Sequence, residues 1–160
     1  MISYILAVLS AVFFLITDQF TKHYINTSFV LGESREFLNG FIDLVYIHNR
    51  GGAWGIMSGK TYVLIIITAI MLTVCTFVLV KMRKNKLLFW AVSLVLSGGI
   101  GNMIDRIFRD GNVIDFLHFE FFPTFPVFNI ADCAVVLGAG LLMLYFIIDM
   151  VKENKKNEHS

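Results

Sequence analysis

Thr61 to Val80 is a run of 20 residues without one charged side chain, and a run of that length and character belongs in a lipid bilayer. Leu87 to Ile104 and Ile2 to Thr17 are likewise uncharged. Val127 to Ile148 is apolar except for Asn129 and Asp132 near its start. With 57% hydrophobic and 16% charged residues and a mean hydropathy of +0.74, the 160-residue chain departs far from soluble proteins. The expected organisation is a single integral membrane domain, 1–160, with four spans at approximately 2–20, 61–80, 87–104 and 127–148. The first run is retained as a helix, because no basic residue precedes it and no small-x-small cleavage site follows it.

Orientation follows from the basic residues. Lys81, Arg83, Lys84 and Lys86 crowd the link between spans two and three, and Lys152, Lys155 and Lys156 follow span four. Positive segments stay in the cytoplasm, so both termini are expected inside and the connections 22–60 and 105–126 outside. The tail 152–160 reads as disordered. A net charge of +1 gives no reason to expect a nucleic-acid partner. Cys75 and Cys133 both lie inside spans and lack CxxC spacing, so no disulfide, metal site or cofactor is expected.

In the first outer connection, Asn39-Gly40 separates β-prone residues of 36–47, which suits a short hairpin or small sheet. Gly51-Gly52-Ala53-Trp54-Gly55 is too rich in glycine for a helix interior and suits a loop at the interface beside an anchoring Trp. The second outer connection carries Pro123 and Pro126 among several phenylalanines and reads as a loop lying against lipid. Glycines 98, 99, 101, 138 and 140 are expected to permit close helix packing.

Ionisable groups in or against a membrane are costly, and here they gather at the outer ends of the spans. Asp18 and Lys22 share a helix face at i and i+4. Asn102 and Arg106 share another, with Asp105 beside them. Taken alone, each set would serve as an ordinary interfacial ion pair. Asp132 lies inside an otherwise apolar helix near Asn129, and Asp115 is bracketed by Val113, Ile114 and Phe116. If the connection up to Pro126 folds back, the two aspartates meet. Two carboxylates held close cannot both ionise, so one keeps its proton while the other acts as a base. That division of labour is the handle an aspartic peptidase uses to activate water against an amide. A carboxylate kept in an apolar site costs folding energy, so Asp132→Asn is expected to leave thermal stability unchanged or raised.

With these residues in place the chain resembles the lipoprotein signal peptidases, or signal peptidase II, aspartyl peptidases of the bacterial plasma membrane. The resemblance rests on Asp18-Gln19-Phe20-Thr21-Lys22, Asn49-Arg50-Gly51-Gly52-Ala53-Trp54, Gly101-Asn102-Met103-Ile104-Asp105-Arg106, Val113-Ile114-Asp115-Phe116 and Phe128-Asn129-Ile130-Ala131-Asp132. It implies an all-α membrane protein, four transmembrane helices with a small β-rich extracytoplasmic cradle. It implies Asp115 and Asp132 as the catalytic pair, with no metal and no cofactor. Asn49, Gly51, Asn102, Arg106, Asn129 and Ala131 would bind substrate or support the site, and Asp18, Lys22 and Asp105 would brace the helix ends. The implied substrates are diacylglyceryl-modified prolipoproteins, cut just before the lipobox cysteine. The implied partners are those substrates and membrane lipid, with no requirement for an oligomer. Cys133 departs from the family, in which serine is frequent beside the aspartate.

Competing chemistries fare worse. Ser97 lies within span three, with His118 distant in sequence, so nothing marks it as a nucleophile. Gly99-Ile100-Gly101 is followed by Asn102 where a presenilin-type protease needs aspartate. His118-Phe119-Glu120 has no Pro-Cys-x-x-Cys after it, so the zinc deaminase pattern fails. A transporter would carry polar groups through the bilayer depth, whereas here they stop near one interface.

Overall fold

A computed structural model of the chain describes residues 1–81 and 84–158. Arg83 of the basic link and the last two tail residues lie outside them. Four helices carry the fold: α1 (Ile2–Ser28), α2 (Thr61–Lys81), α3 (Lys86–Phe108) and α4 (Ile130–Glu158). All four are long and apolar enough to cross a membrane. Three strands, β1 (Ser34–Leu38), β2 (Ile42–Asn49) and β3 (Val113–Phe119), form one antiparallel sheet in that order.

The helices differ in what surrounds them. α2 is apolar on every side and buries no residue, as a helix does when lipid covers most of it. It packs substantially on α3 alone. α3 is the central helix, packed against α1, α2 and α4 and the most buried of the four. Asn85 caps its start by accepting from the Leu88 amide at 3.1 Å. Glycine lets α4 approach α3 closely: a Cβ on Gly98 would stand 2.1 Å from the Ala131 carbonyl oxygen, and one on Gly138 would stand 2.7 Å from that of Ala91. Gly140 departs from the packing role expected of it, since a Cβ there would meet nothing within 4 Å.

The structure corrects three boundaries. α1 runs eight residues past the expected end of span one, to Ser28, because the sheet supplies a protein surface for it there. Ile25 and Phe29 pack with Tyr46 of β2 and with Ile114 and Phe116 of β3 in one buried cluster. The tail read as disordered continues α4 as helix to Glu158. Lysine and glutamate are good helix formers, and Lys155 and Lys156 stand in the last turn, where the helix dipole favours cations. The third correction is β3, in the segment read as a loop against lipid.

β1 and β2 form the expected hairpin, with Gly40 at φ +74° in its turn. Between Leu44 and Ile47, β2 carries one residue more than β3 opposite it, a bulge that changes which side chains face Asp115. In an unbroken ladder Tyr46 would lie opposite Asp115. The bulge puts Ile47 there and brings Asn49, opposite Val113, to the same face. On its other edge β3 is bridged by Phe128, whose amide donates to the Leu117 carbonyl at 2.9 Å. This bridge returns the chain so that Asn129 and the start of α4 arrive beside Asp115.

Candidate active site

Asp115 and Asp132 line one cavity of about 530 Å³. Asn49, Asn102 and Arg106 share its polar wall, while Trp54, Phe125, Phe128, Val135 and Val136 contribute apolar wall. Trp54 lies in a short 3₁₀ turn, Ala53–Gly55, at φ +53°, and its ring meets Phe125 edge-on at 6.1 Å. The glycines beside it have a steric reason, since a Cβ on Gly51 would lie 2.7 Å from the Gly55 carbonyl carbon. Among the described residues, no group of three or more His, Cys, Asp or Glu side chains is arranged to hold a metal ion.

Asn129 joins the two aspartates. Its Nδ2 donates to Asp115 Oδ1 at 2.6 Å, and its Oδ1 accepts from the Asp132 amide at 3.0 Å. The Asn129 amide in turn donates to Asp132 Oδ2 at 3.1 Å. Asn129 and Asp132 are therefore the N-cap and N3 residues of α4, reciprocally bonded as in a capping box. A residue expected for chemistry also starts the helix that carries it. Asn49 Nδ2 donates to the other oxygen of Asp115 at 2.9 Å, and Asn102 Nδ2 donates to Asp132 Oδ1 at 2.8 Å.

Burial and the neighbouring charge of Asp132 push the Asp115 carboxyl up to about 7, against the two asparagine hydrogen bonds and Lys22, which pull it down. Its side chain accepts from a neutral amide on each oxygen. The folded chain binds the Asp115 proton more tightly than the unfolded chain does. Folding therefore loses stability as pH rises from the ordinary carboxylate value towards 7, by roughly 4 kcal/mol at the upper end. The expected result in detergent is a melting temperature that falls from pH 4 to pH 7, with much of that slope absent in Asp115→Asn. Equal slopes in the two chains would place the proton elsewhere.

Asp18, Lys22 and Asp105 stand one layer back from the cavity that Arg106 lines. Lys22, wholly buried, reaches Asp18 Oδ2 at 2.9 Å, Asp105 Oδ2 at 3.0 Å and Asn102 Oδ1 at 2.9 Å. Asp18 Oδ1 accepts from the Ala131 amide at 2.8 Å, holding the first turn of α4, and Asp105 Oδ2 accepts from the Ile114 amide at 3.2 Å, holding β3. Arg106 donates to the Gly51 carbonyl at 3.0 Å and so ties the glycine loop to α3. Its Nε is the one buried side-chain polar atom without a partner among the described residues. Gln19, which the sequence shows within the Asp18–Lys22 motif but marks for no role, also braces the site. Its Nε2 donates to the Gly101 carbonyl and to Asp18 Oδ2, each at 3.1 Å.

The family model described as signal peptidase (SPase) II matches residues 10–148. The chain belongs to the signal peptidase II family. A lipoprotein signal peptidase of Enterococcus faecalis is 38% identical over 156 residues, 92% of this chain and 96% of that protein. One of Staphylococcus aureus is 38% identical over 152 residues, covering 94% and 93%. Two solved bacterial membrane enzymes superpose with TM-scores of 0.85 and 0.80, each at 38% identity. They cover 90% and 88% of this chain, and it covers 88% and 91% of theirs. Membership of this family of membrane aspartic proteases, with four apolar helices, makes the chain a multi-pass membrane enzyme.

Proposed function

We propose that this chain removes signal peptides from bacterial prolipoproteins, cutting before a diacylglyceryl-modified cysteine, with Asp115 and Asp132 as the reacting pair. The observation that carries this reading is the single cavity shared by two carboxyl groups that Asn129 links. Asp132, whose oxygens accept from Asn102 and from the Asn129 amide, takes a proton from the attacking water. Asp115, held up to about 7 by burial and by Asp132, gives its proton to the carbonyl oxygen; as the C–N bond breaks, Asp132 passes the water proton to the leaving amine and Asp115 recovers its own from the diol hydroxyl. No covalent intermediate is required, because water is the nucleophile and the two carboxyls exchange one proton across the cycle.

The shape of the cavity supports a lipid-anchored substrate. Val136 lines it and is also 69% exposed on the surface of α4, so the cavity reaches the face of the protein that meets lipid. α2 leaves that side open, since it packs substantially only on α3. The basic residues at the opposite ends of the spans support cytoplasmic termini and a site at the outer face of the plasma membrane.

The test is cleavage of one prolipoprotein, with and without its diacylglyceryl group, by the purified protein in detergent. Acyl contacts remote from the scissile bond are expected to raise kcat/KM about thirtyfold for the lipidated form. Equal rates would remove the lipid from the reading, and no cleavage of either form would remove the reading itself.

A further inference from the structure

We infer that Lys22 is a positioning residue that fixes the direction of the Asn102 amide, and with it the hydrogen bond that Asn102 donates to Asp132. The inference rests on the proposed roles of Asp115 and Asp132. An ammonium group can only donate, and the Lys22 ammonium has three protons. Its partners are Asp18 Oδ2, Asp105 Oδ2 and Asn102 Oδ1, all within 3.0 Å. An asparagine amide has an accepting end and a donating end of nearly equal size, so its orientation is set by what it faces. Facing Lys22, Asn102 must present its carbonyl, and its Nδ2 then points to Asp132.

The same carbonyl accepts from Asn129 Nδ2 at 3.1 Å, an amide whose direction the Asp132 N–H and the Ile114 carbonyl also set. Asn129 then donates to Asp115 and accepts from the Asp132 amide. Reversing Asn102 would set an NH2 group against the ammonium and a carbonyl against the Asp132 carboxylate. One arrangement satisfies the whole chain, and in it each aspartate receives a proton donor from this relay. The cation thus acts on the dyad through Asn102, the one amide of the relay whose direction no backbone group sets.

The experiment is a double-mutant cycle on Lys22→Gln and Asn102→Ala, with two readouts. The first is kcat and KM on the lipidated prolipoprotein. Lys22→Gln is expected to lower kcat about tenfold with KM little changed, and to cost less than about twofold further in the Asn102→Ala background. The second needs no substrate: the infrared band of the protonated carboxyl, identified by its loss in Asp115→Asn, is titrated in each chain. The charged groups acting on Asp115 are Asp132 on α4, Lys22 on α1 and Arg106 on α3. Lys22→Gln is expected to move the titration upward, and Asn102→Ala to remove more than half of that shift. If the reference chain cleaves nothing, the proposed function fails while the titration still decides the role of Lys22. Independent, additive effects in the titration overturn the inference, since Lys22 would then act by its charge alone. Failure of Lys22→Gln to insert as a folded protein also overturns it, by assigning Lys22 to the fold.

Discussion

Asp132→Asn and Asp115→Asn are each expected to slow signal-peptide release by about 10³- to 10⁴-fold while leaving an inserted, folded protein. An amide cannot take the proton of the attacking water, so Asp132→Asn removes the base. An amide does not release a proton at neutral pH, so Asp115→Asn removes the acid. Cleavage of lipidated prolipoprotein, followed with melting temperature on the same preparations, checks both. Near-normal processing by either variant would take that residue out of the chemistry, and a large fall in melting temperature would show it to be structural.

The two variants are expected to differ in stability, and the difference follows from where each aspartate sits. The sequence alone places the folding cost on Asp132, because it interrupts an apolar run. The structure puts Asp132 at N3 of α4, accepting from the Asn129 amide at the positive end of the helix dipole. Asparagine there keeps one acceptor but turns its NH2 towards a donor. The loss of the cap and the relief of charge repulsion then oppose each other, and the net change is expected to stay within about 1 kcal/mol. Asp115 is 2% exposed and carries the burden of desolvation, so Asp115→Asn is the variant expected to gain stability above pH 7.

The spans were legible because lipid imposes the strongest rule a sequence can carry: no charge across about twenty residues. The aspartates were legible for the converse reason, as charges with no cheap place in that solvent. β3 was not, since Val113-Ile114-Asp115-Phe116 has no polar alternation; both of its faces are covered, by α1 on one side and the cavity wall on the other. Nor was the bulge in β2, which has no turn residue to announce it and which moves Tyr46 to the face away from Asp115 and Asn49 to the face beside it. Gly140 looks like Gly138 in sequence, yet only Gly138 meets α3, because two residues along a helix turn through about 200° and put the second glycine on the opposite face.

Gly98 and Gly101 lead to the second large effect, a loss of activity from a change that removes no polar group. They lie three residues apart on the face of α3 that receives the first turns of α4. A Cβ on Gly98 would come within 2.1 Å of the Ala131 carbonyl oxygen and 2.7 Å of Val135 Cγ2; one on Gly101 would come within 2.7 Å of Asp18 Oδ2. The Ala131 carbonyl is backbone, so Gly98→Ala cannot be relieved by turning a side chain. Either α3 and α4 separate or the start of α4 slides. Both moves shift Asp132 relative to Asp115, which β3 holds independently through the sheet and through the bond from the Ile114 amide to Asp105. A displacement of about 1 Å between reacting groups is expected to reduce kcat about a hundredfold, and the overpacking to cost about 1–3 kcal/mol of stability. Gly140→Ala is the matched control, because its Cβ meets nothing within 4 Å and both quantities should stay near those of the unaltered chain. Cleavage assays and melting curves on the two variants decide it. An active Gly98→Ala chain would mean that α4 can move without carrying Asp132 away from Asp115, and that the asparagine relay holds the pair together by itself.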